Sequence, residues 1–178
     1  FWEELEKLGI HHLRDEKDEI EINGVKLRIM GVRDFQEDYP KYIQKGTKYE
    51  HLIGNDKRPL LIIMLAKDRY RELNAKILKE SLRKIENPKD ENIVLLLSHR
   101  PELFKKYLES KVDLVFSGHA HGGQFRIPFI GGVYSPGQGI FPKYTSGIYK
   151  EENTNMIVNR ALGDSRISIR INNPRDIV

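Results

Sequence analysis

Two short runs of apolar residues constrain the fold of this chain more than any other feature. They occupy residues 93–97 (Ile-Val-Leu-Leu-Leu) and 112–116 (Val-Asp-Leu-Val-Phe). Runs of this kind are typical of strands buried on both faces, in a sheet covered by helices. Between the runs, Pro101 favours the start of a short helix that extends to Leu108, because proline is tolerated in a first helical turn. The order strand, helix, strand predicts a parallel pair with a right-handed connection.

A histidine-containing stretch follows each predicted strand directly. The stretches are Ser-His-Arg-Pro-Glu at 98–102 and Ser-Gly-His-Ala-His-Gly-Gly-Gln at 117–124. Ligands of open α/β sheets bind at the carboxyl ends of strands, which is where His99, His119 and His121 fall. Side chains two residues apart in an extended segment point the same way, so the last two can converge. Imidazole is a common metal ligand, and these residues predict a metal site; a glycine-rich turn whose histidines only form hydrogen bonds is the alternative.

The rest of the chain predicts further elements of a mixed α/β sheet and its helices. Residues 36–58 should run over the surface, partly as helix, and 127–147 should form a long loop beside the site. Asp34 follows a predicted strand near the site, although a turn-capping role is favoured, and His11 and His12 are interpreted as ordinary strand histidines. The remaining elements are a helix over 1–8 closed by Gly9, an Asn-Gly hairpin over 19–29, strands over 59–66, 156–158 and 167–171, and a helix over 69–85.

Together these stretches resemble a known family. The motifs at 97–102 and 116–124, with Tyr-Thr-Ser-Gly-Ile-Tyr at 144–149 and Asn-Pro-Arg-Asp-Ile at 173–177, resemble the calcineurin-like metallophosphoesterases. The resemblance is strongest to a bacterial branch whose members are often membrane-anchored or exported. It implies an α/β fold in which residues 1–178 form a single domain. That domain would be the C-terminal half of a four-layer α-β-β-α sandwich, with a mixed sheet flanked by helices.

The resemblance also implies an activity. The intact enzyme would hydrolyse a phosphodiester or a phosphomonoester with a hydroxide activated by two divalent ions of manganese, zinc or iron, and a phosphodiester is favoured. By motif position, His99 and His119 would bind one metal and His121 the other. The substrate would be a phosphoester, and the parent protein would be membrane-associated or exported.

Three motifs of the family are absent from their proper places. The family's N-terminal half carries Asp-x-His, Gly-Asp and Gly-Asn-His, but here 54–56 (Gly-Asn-Asp) lacks the histidine and Gly163-Asp164 follows the histidine stretches. We therefore expect a C-terminal fragment whose catalytic histidine lies in the missing N-terminal half, so no residue of this chain is predicted to be catalytic. Such a fragment should hold one metal ion or none and be poorly active. Its apolar sheet face, left without the missing half, should promote self-association.

The amino-acid composition excludes several kinds of site and partner, and it leaves two alternative functions open. The 178 residues include 30 basic and 26 acidic side chains, a net charge of +4 that is dispersed and indicates no nucleic-acid partner. The absence of cysteine excludes disulfides and thiolate metal sites. No apolar run approaches the roughly 20 residues of a membrane span. The alternatives are a single zinc ion held by the three histidines in a hydrolase, and a non-catalytic module whose basic surface binds an anionic polymer.

Overall fold

A six-stranded mixed sheet lies at the centre of the computed structural model, which describes residues 2–52, 70–85, 92–163 and 169–177. In chain order the strands are β1 (Glu16–Ile22), β2 (Val25–Gly31), β3 (Ile93–Leu97), β4 (Leu114–Ser117), β5 (Arg126–Ile127), β6 (Gly131–Gly132), β7 (Tyr134–Ser135), β8 (Gly139–Ile140), β9 (Gly147–Glu151) and β10 (Thr154–Val158). The sheet order is β1-β2-β3-β4-β10-β9. The four central strands are parallel, and β1 and β9 pair antiparallel at the edges.

Four α-helices accompany the sheet in the described residues. They are α1 (Trp2–Lys7), α2 (Tyr39–Tyr42), α3 (Arg71–Ile85) and α4 (Phe104–Leu108), with 3-10 turns at Phe35–Asp38, Glu50–Leu52, Pro101–Leu103 and His121–Gly123. The helix predicted over 69–85 is confirmed by α3, and the turn at Pro101 continues into α4 as the sequence predicts. In the part of the chain that the structure describes, every helix is too short or too polar to cross a membrane.

One face of the sheet carries the hydrophobic core. Each of four neighbouring strands contributes one residue to a cross-strand row, and the side chains in this row are at most 1% exposed: Met30, Leu96, Val115 and Met156. The amphipathic helix α3 adds buried apolar residues at spacings of four and one, which places them on one helical face. They belong to the same core cluster as the row, together with aromatic residues of α4: Leu73, Ile77, Leu78, Phe104 and Tyr107.

The opposite face of the sheet is also apolar, but it is open. Strand side chains alternate between the faces, and Ile93 and Leu97 of β3 remain 44% and 42% exposed. On this open face, a second cross-strand row runs from Leu97 through Phe116 and Ile157 to Ile148, which is 74% exposed. The prediction that these strands are buried on both faces is therefore wrong for the described residues. The expected exposed apolar face is confirmed.

The β1–β2 hairpin and the parallel pair of β3 and β4 agree closely with the predictions from the sequence. Asn23 and Gly24 both have positive φ, 52° and 80°, as the predicted two-residue turn between β1 and β2 requires. Strands β3 and β4 are parallel neighbours, although β4 begins two residues later than predicted. The prediction of strand 156–158 in the same sheet is confirmed by β10.

Other predicted elements differ from the structure. The loop over 127–147 contains two small hairpins, β5–β6 and β7–β8, and the edge strand β9 was not predicted. Residues 169–171 form no strand beyond an isolated bridge between Phe125 and Ile171, and 167–168 lie outside the described residues. The strand predicted over 59–66 also lies outside them. Tyr49 and Leu52 are buried in the core, so the segment predicted to run over the surface contributes to packing.

Candidate metal centre

His99 and His119 meet at the carboxyl ends of two neighbouring strands. His99 lies two residues beyond β3, and His119 lies two residues beyond β4. The parallel register continues past the strands, since the Ser98 amide donates to the Phe116 carbonyl at 3.0 Å. The imidazole nitrogens His99 Nε2 and His119 Nδ1 are 3.0 Å apart, with the rings edge to face at 67°. The topology thus brings together the two histidines that the sequence placed at strand ends.

Both imidazoles are neutral at neutral pH. Burial and the nearby Arg100 guanidinium together lower the pKa of His119 to about 3. His99 is open to solvent on one side, yet the protein atoms crowded around the rest of its ring lower its pKa as well. Arg100 can only donate, so its 3.4 Å contact makes His119 Nε2 an acceptor. His119 then carries its proton on Nδ1 and donates it to His99 Nε2.

The spacing of these two nitrogens fits a shared metal ion. Metal–nitrogen bonds to histidine measure about 2.1 Å, so two such bonds separate the nitrogens by about 3.0 Å in octahedral coordination and by about 3.4 Å in tetrahedral coordination. The distance between His99 Nε2 and His119 Nδ1 is 3.0 Å, the octahedral value. Neutral imidazole is also the form that binds metals. The pair therefore has the chemistry and the separation of two ligands on one ion.

Arg100 is a buried charged residue beside the pair, and no sequence pattern indicated a role for it. Its side chain is 5% exposed and pairs with Asp34 at 3.2 Å and with Glu102 at 3.6 Å. The guanidinium also lies 5.7 Å from the centre of the Phe35 ring, a cation–π arrangement. In the sequence, the only signal for these contacts of Arg100 was a charged residue directly after a strand-end histidine.

Asp34 fulfils both roles that the sequence considered. It follows β2 near the histidines, and its carboxylate accepts a hydrogen bond of 3.1 Å from the Gln36 amide, which caps the next 3-10 turn. Burial opposes ionisation of Asp34, but the Arg100 guanidinium and the Gln36 hydrogen bond outweigh it, so the pKa of Asp34 is lowered. This carboxylate is consequently charged and lies just beyond the end of β2, beside the two strand ends that carry His99 and His119.

His121 is not part of the pair. The backbone at His119 and His121 is left-handed, with φ of 58° and 47°, so the segment is not extended and lacks the alternation that would point the two side chains the same way. His121 Nδ1 lies 3.2 Å from the Gly163 carbonyl and 3.5 Å from an Arg170 nitrogen. Within the described ranges, no three His, Asp or Glu side chains are grouped closely enough to hold a metal. A single ion bound by all three histidines is therefore not formed in this conformation.

A cleft of about 770 Å³ opens beside His99 on the apolar face of the sheet. Asp34, Phe116 and Asn159 line it, and the segment that precedes β1 closes one side with His12. His11 and His12 lie in irregular backbone, so their interpretation as strand histidines is wrong. His11 pairs with Asp18 at 3.1 Å at the surface.

Two curated proteins are similar to parts of this chain. An uncharacterized metallophosphoesterase of Bacillus subtilis, YkuE, is 41% identical over 76 residues, which cover 43% of this chain and 26% of that protein. The phosphodiesterase YaeI of Escherichia coli is 30% identical over 78 residues, 44% of this chain and 28% of that protein. The matches thus span little more than a quarter of either relative.

No family model matches the chain, and no solved structure matches it significantly. The similarity to two phosphoesterases agrees with the strand-end histidine motifs and with the mixed α/β sheet that carries them. Over these residues, the chain is therefore similar to one protein named as a metallophosphoesterase and to one named as a phosphodiesterase.

Proposed function

We propose that this chain forms part of a metal-dependent phosphoesterase in which His99 and His119 bind one divalent ion and His121 binds a second. The observation that carries the proposal is the 3.0 Å separation of His99 Nε2 and His119 Nδ1 at two adjacent strand ends. The names of the two relatives support a phosphoester substrate, and the phosphodiesterase among them supports a phosphodiester.

The side chains around the pair control its protonation. To bind an ion through Nδ1, His119 must carry its proton on Nε2, which then donates instead of accepting. Arg100 consequently gives up its contact with His119 and keeps its pairings with Asp34 and Glu102. When bound, two divalent ions would polarise the phosphoryl oxygens and lower the pKa of the attacking water. The residues described here hold the ligand rings neutral and fix their direction.

A titration with Mn²⁺, followed by calorimetry, tests the ligand assignment. We expect wild-type protein to bind the ion, and His99→Gln and His119→Gln to lose this binding. His51→Gln is the matched control, because His51 lies at the surface and contacts the Lys48 carbonyl at 3.2 Å. A wild type that binds no ion, or equal losses in the control, would contradict the proposal.

The open apolar face supports the four-layer sandwich as the architecture of the whole enzyme. Ile93, Leu97 and Ile148 expose an apolar surface that soluble proteins rarely leave uncovered, and a second sheet would bury it. That second layer would also contribute the carboxylates that neutralise two neighbouring ions. Without those carboxylates, two cations at close range repel strongly, so this chain alone should hold a single ion, at His99 and His119, and turn over slowly. Association of the parent with a membrane, or its export, is proposed on the family resemblance.

A further inference from the structure

The turn that follows β4 holds three residues with side chains in a backbone conformation that glycine prefers. His119, His121 and Gln124 have φ of 58°, 47° and 61°. The L-amino acids other than glycine seldom adopt this left-handed region, because the Cβ atom crowds the backbone. Such conformations persist only where surrounding contacts over-determine them. Contacts from outside the turn must therefore hold it.

Asn173 supplies such contacts from the C-terminal segment. Its amide nitrogen donates to the main-chain oxygens of His121 at 2.7 Å and of Gln124 at 3.2 Å. Since only the nitrogen can donate to two carbonyls, these bonds fix the orientation of the side-chain amide. Asn173 is 5% exposed, so water does not compete effectively for either bond.

The Asn173 side chain also leaves no room for a side chain at position 122. The amide oxygen Oδ1 of Asn173 lies 1.9 Å from the position that a Cβ atom at Gly122 would occupy. This oxygen is buried, and it has no hydrogen-bond partner among the described residues. Leaving a buried acceptor without a hydrogen bond costs free energy. The two hydrogen bonds that the Asn173 nitrogen donates offset this cost and keep the side chain in place.

Asn173 is itself held beside the turn. The Arg126 amide donates to the Ile171 carbonyl at 2.9 Å, and the Gln124 side chain donates to the Ile169 carbonyl at 3.1 Å. These bonds align residues 169–173 with the strand that leaves the turn. Asn173 is therefore presented to the turn by the bonds that hold the segment directly before it.

We infer that Asn173 is the positioning residue for His121, acting through the main chain of the turn. The inference rests on the proposed function, which assigns His121 to a metal ion. The pair His99 and His119 is held by strand ends and by Arg100 instead. Removal of the Asn173 amide should consequently disturb His121 and leave the pair in place.

Asn173→Asp tests this inference without a change of shape. A carboxylate oxygen replaces the donor and faces two carbonyl oxygens, which repel it. Asn172→Asp is the matched control, since it adds the same charge one residue away at an exposed position. The readout is the ¹H–¹⁵N spectrum of the histidine rings in metal-free protein, assigned with single His→Gln variants. We expect Asn173→Asp to shift the His121 signals and to leave those of His99 and His119 unchanged, and the control to match the wild type.

A Mn²⁺ titration of the same variants gives a second readout. Outer residues that orient a ligand typically change metal affinity by about 10- to 100-fold, so in the intact enzyme Asn173→Asp should weaken the site that includes His121 by that factor and leave the ion at His99 and His119 bound. Where Asn173→Asp does not fold, Asn173→Ala is compared in its place, because it removes the donor without adding repulsion.

Three results would overturn the inference: unchanged His121 signals, equal shifts of all three histidines, or the same response in Asn172→Asp. A wild type that binds no metal would contradict the proposed function alone, because the ring spectrum needs no ion. In that case the selective shift of His121 would still support the positioning role of Asn173.

Discussion

Replacing Gly132 by alanine tests how closely the turn that carries His121 is packed. Gly132 lies in β6, and a Cβ there would be 2.7 Å from the Gly123 Cα and 2.8 Å from a methyl carbon of Thr145. An ordinary contact begins at 3.4 Å, and the nearest atom belongs to main chain that cannot rotate away. We expect the turn to move and the free energy of unfolding to fall by about 1–3 kcal/mol, the usual cost of overpacking.

Urea unfolding provides the assay, with Gly163→Ala as the control. A Cβ at Gly163 meets nothing within 4 Å, and Gly163 lies beside His121 in the same region. Its substitution should change the free energy of unfolding by no more than about 0.5 kcal/mol. The unfolding slope should stay constant, so that the midpoints report stability alone. Equal midpoints for the two variants would refute the close packing of β6 against the turn.

Three further predictions concern acidity, the turn and the open face. In metal-free protein, unfolded His119 takes up a proton near pH 6.5, whereas its folded pKa is about 3. Stability should therefore fall below pH 6.5, by about 2 kcal/mol at pH 5, and His119→Asn should remove this loss in urea titrations. Ala120→Ser should lower stability by about 1 kcal/mol, because Ala120 is fully buried, and leave Mn²⁺ affinity unchanged in calorimetry. Leu97→Gln should reduce self-association in sedimentation velocity, whereas Lys79→Gln should not.

The sequence predicted the parts of the site that depend on local pattern and parallel topology. Apolar runs of strand length, followed directly by histidine motifs, place His99 and His119 at the same edge of the sheet. The resulting contact needs no long-range information beyond the parallel pairing of β3 and β4. The Asn-Gly turn was predictable for the same reason, because its conformation depends on two adjacent residues.

Features that depend on tertiary contacts were not predictable in this way. The direction of His121 follows from a left-handed turn, and Asn173 contacts this turn from a segment about 50 residues further along the chain. The open face of the sheet has the same apolar composition as a covered one, so sequence alone could not distinguish them. The ion pair of Arg100 with Asp34 joins residues 66 positions apart, and no local sequence pattern predicts it.

The most direct test of the central claim is a crystal structure of the protein with Zn²⁺, located by its anomalous scattering. We predict a peak about 2.1 Å from both His99 Nε2 and His119 Nδ1, with Arg100 withdrawn from His119 Nε2 and still paired with Asp34. A map with no peak at this position, and the hydrogen bond between the two rings intact, would contradict the assignment of these histidines as metal ligands.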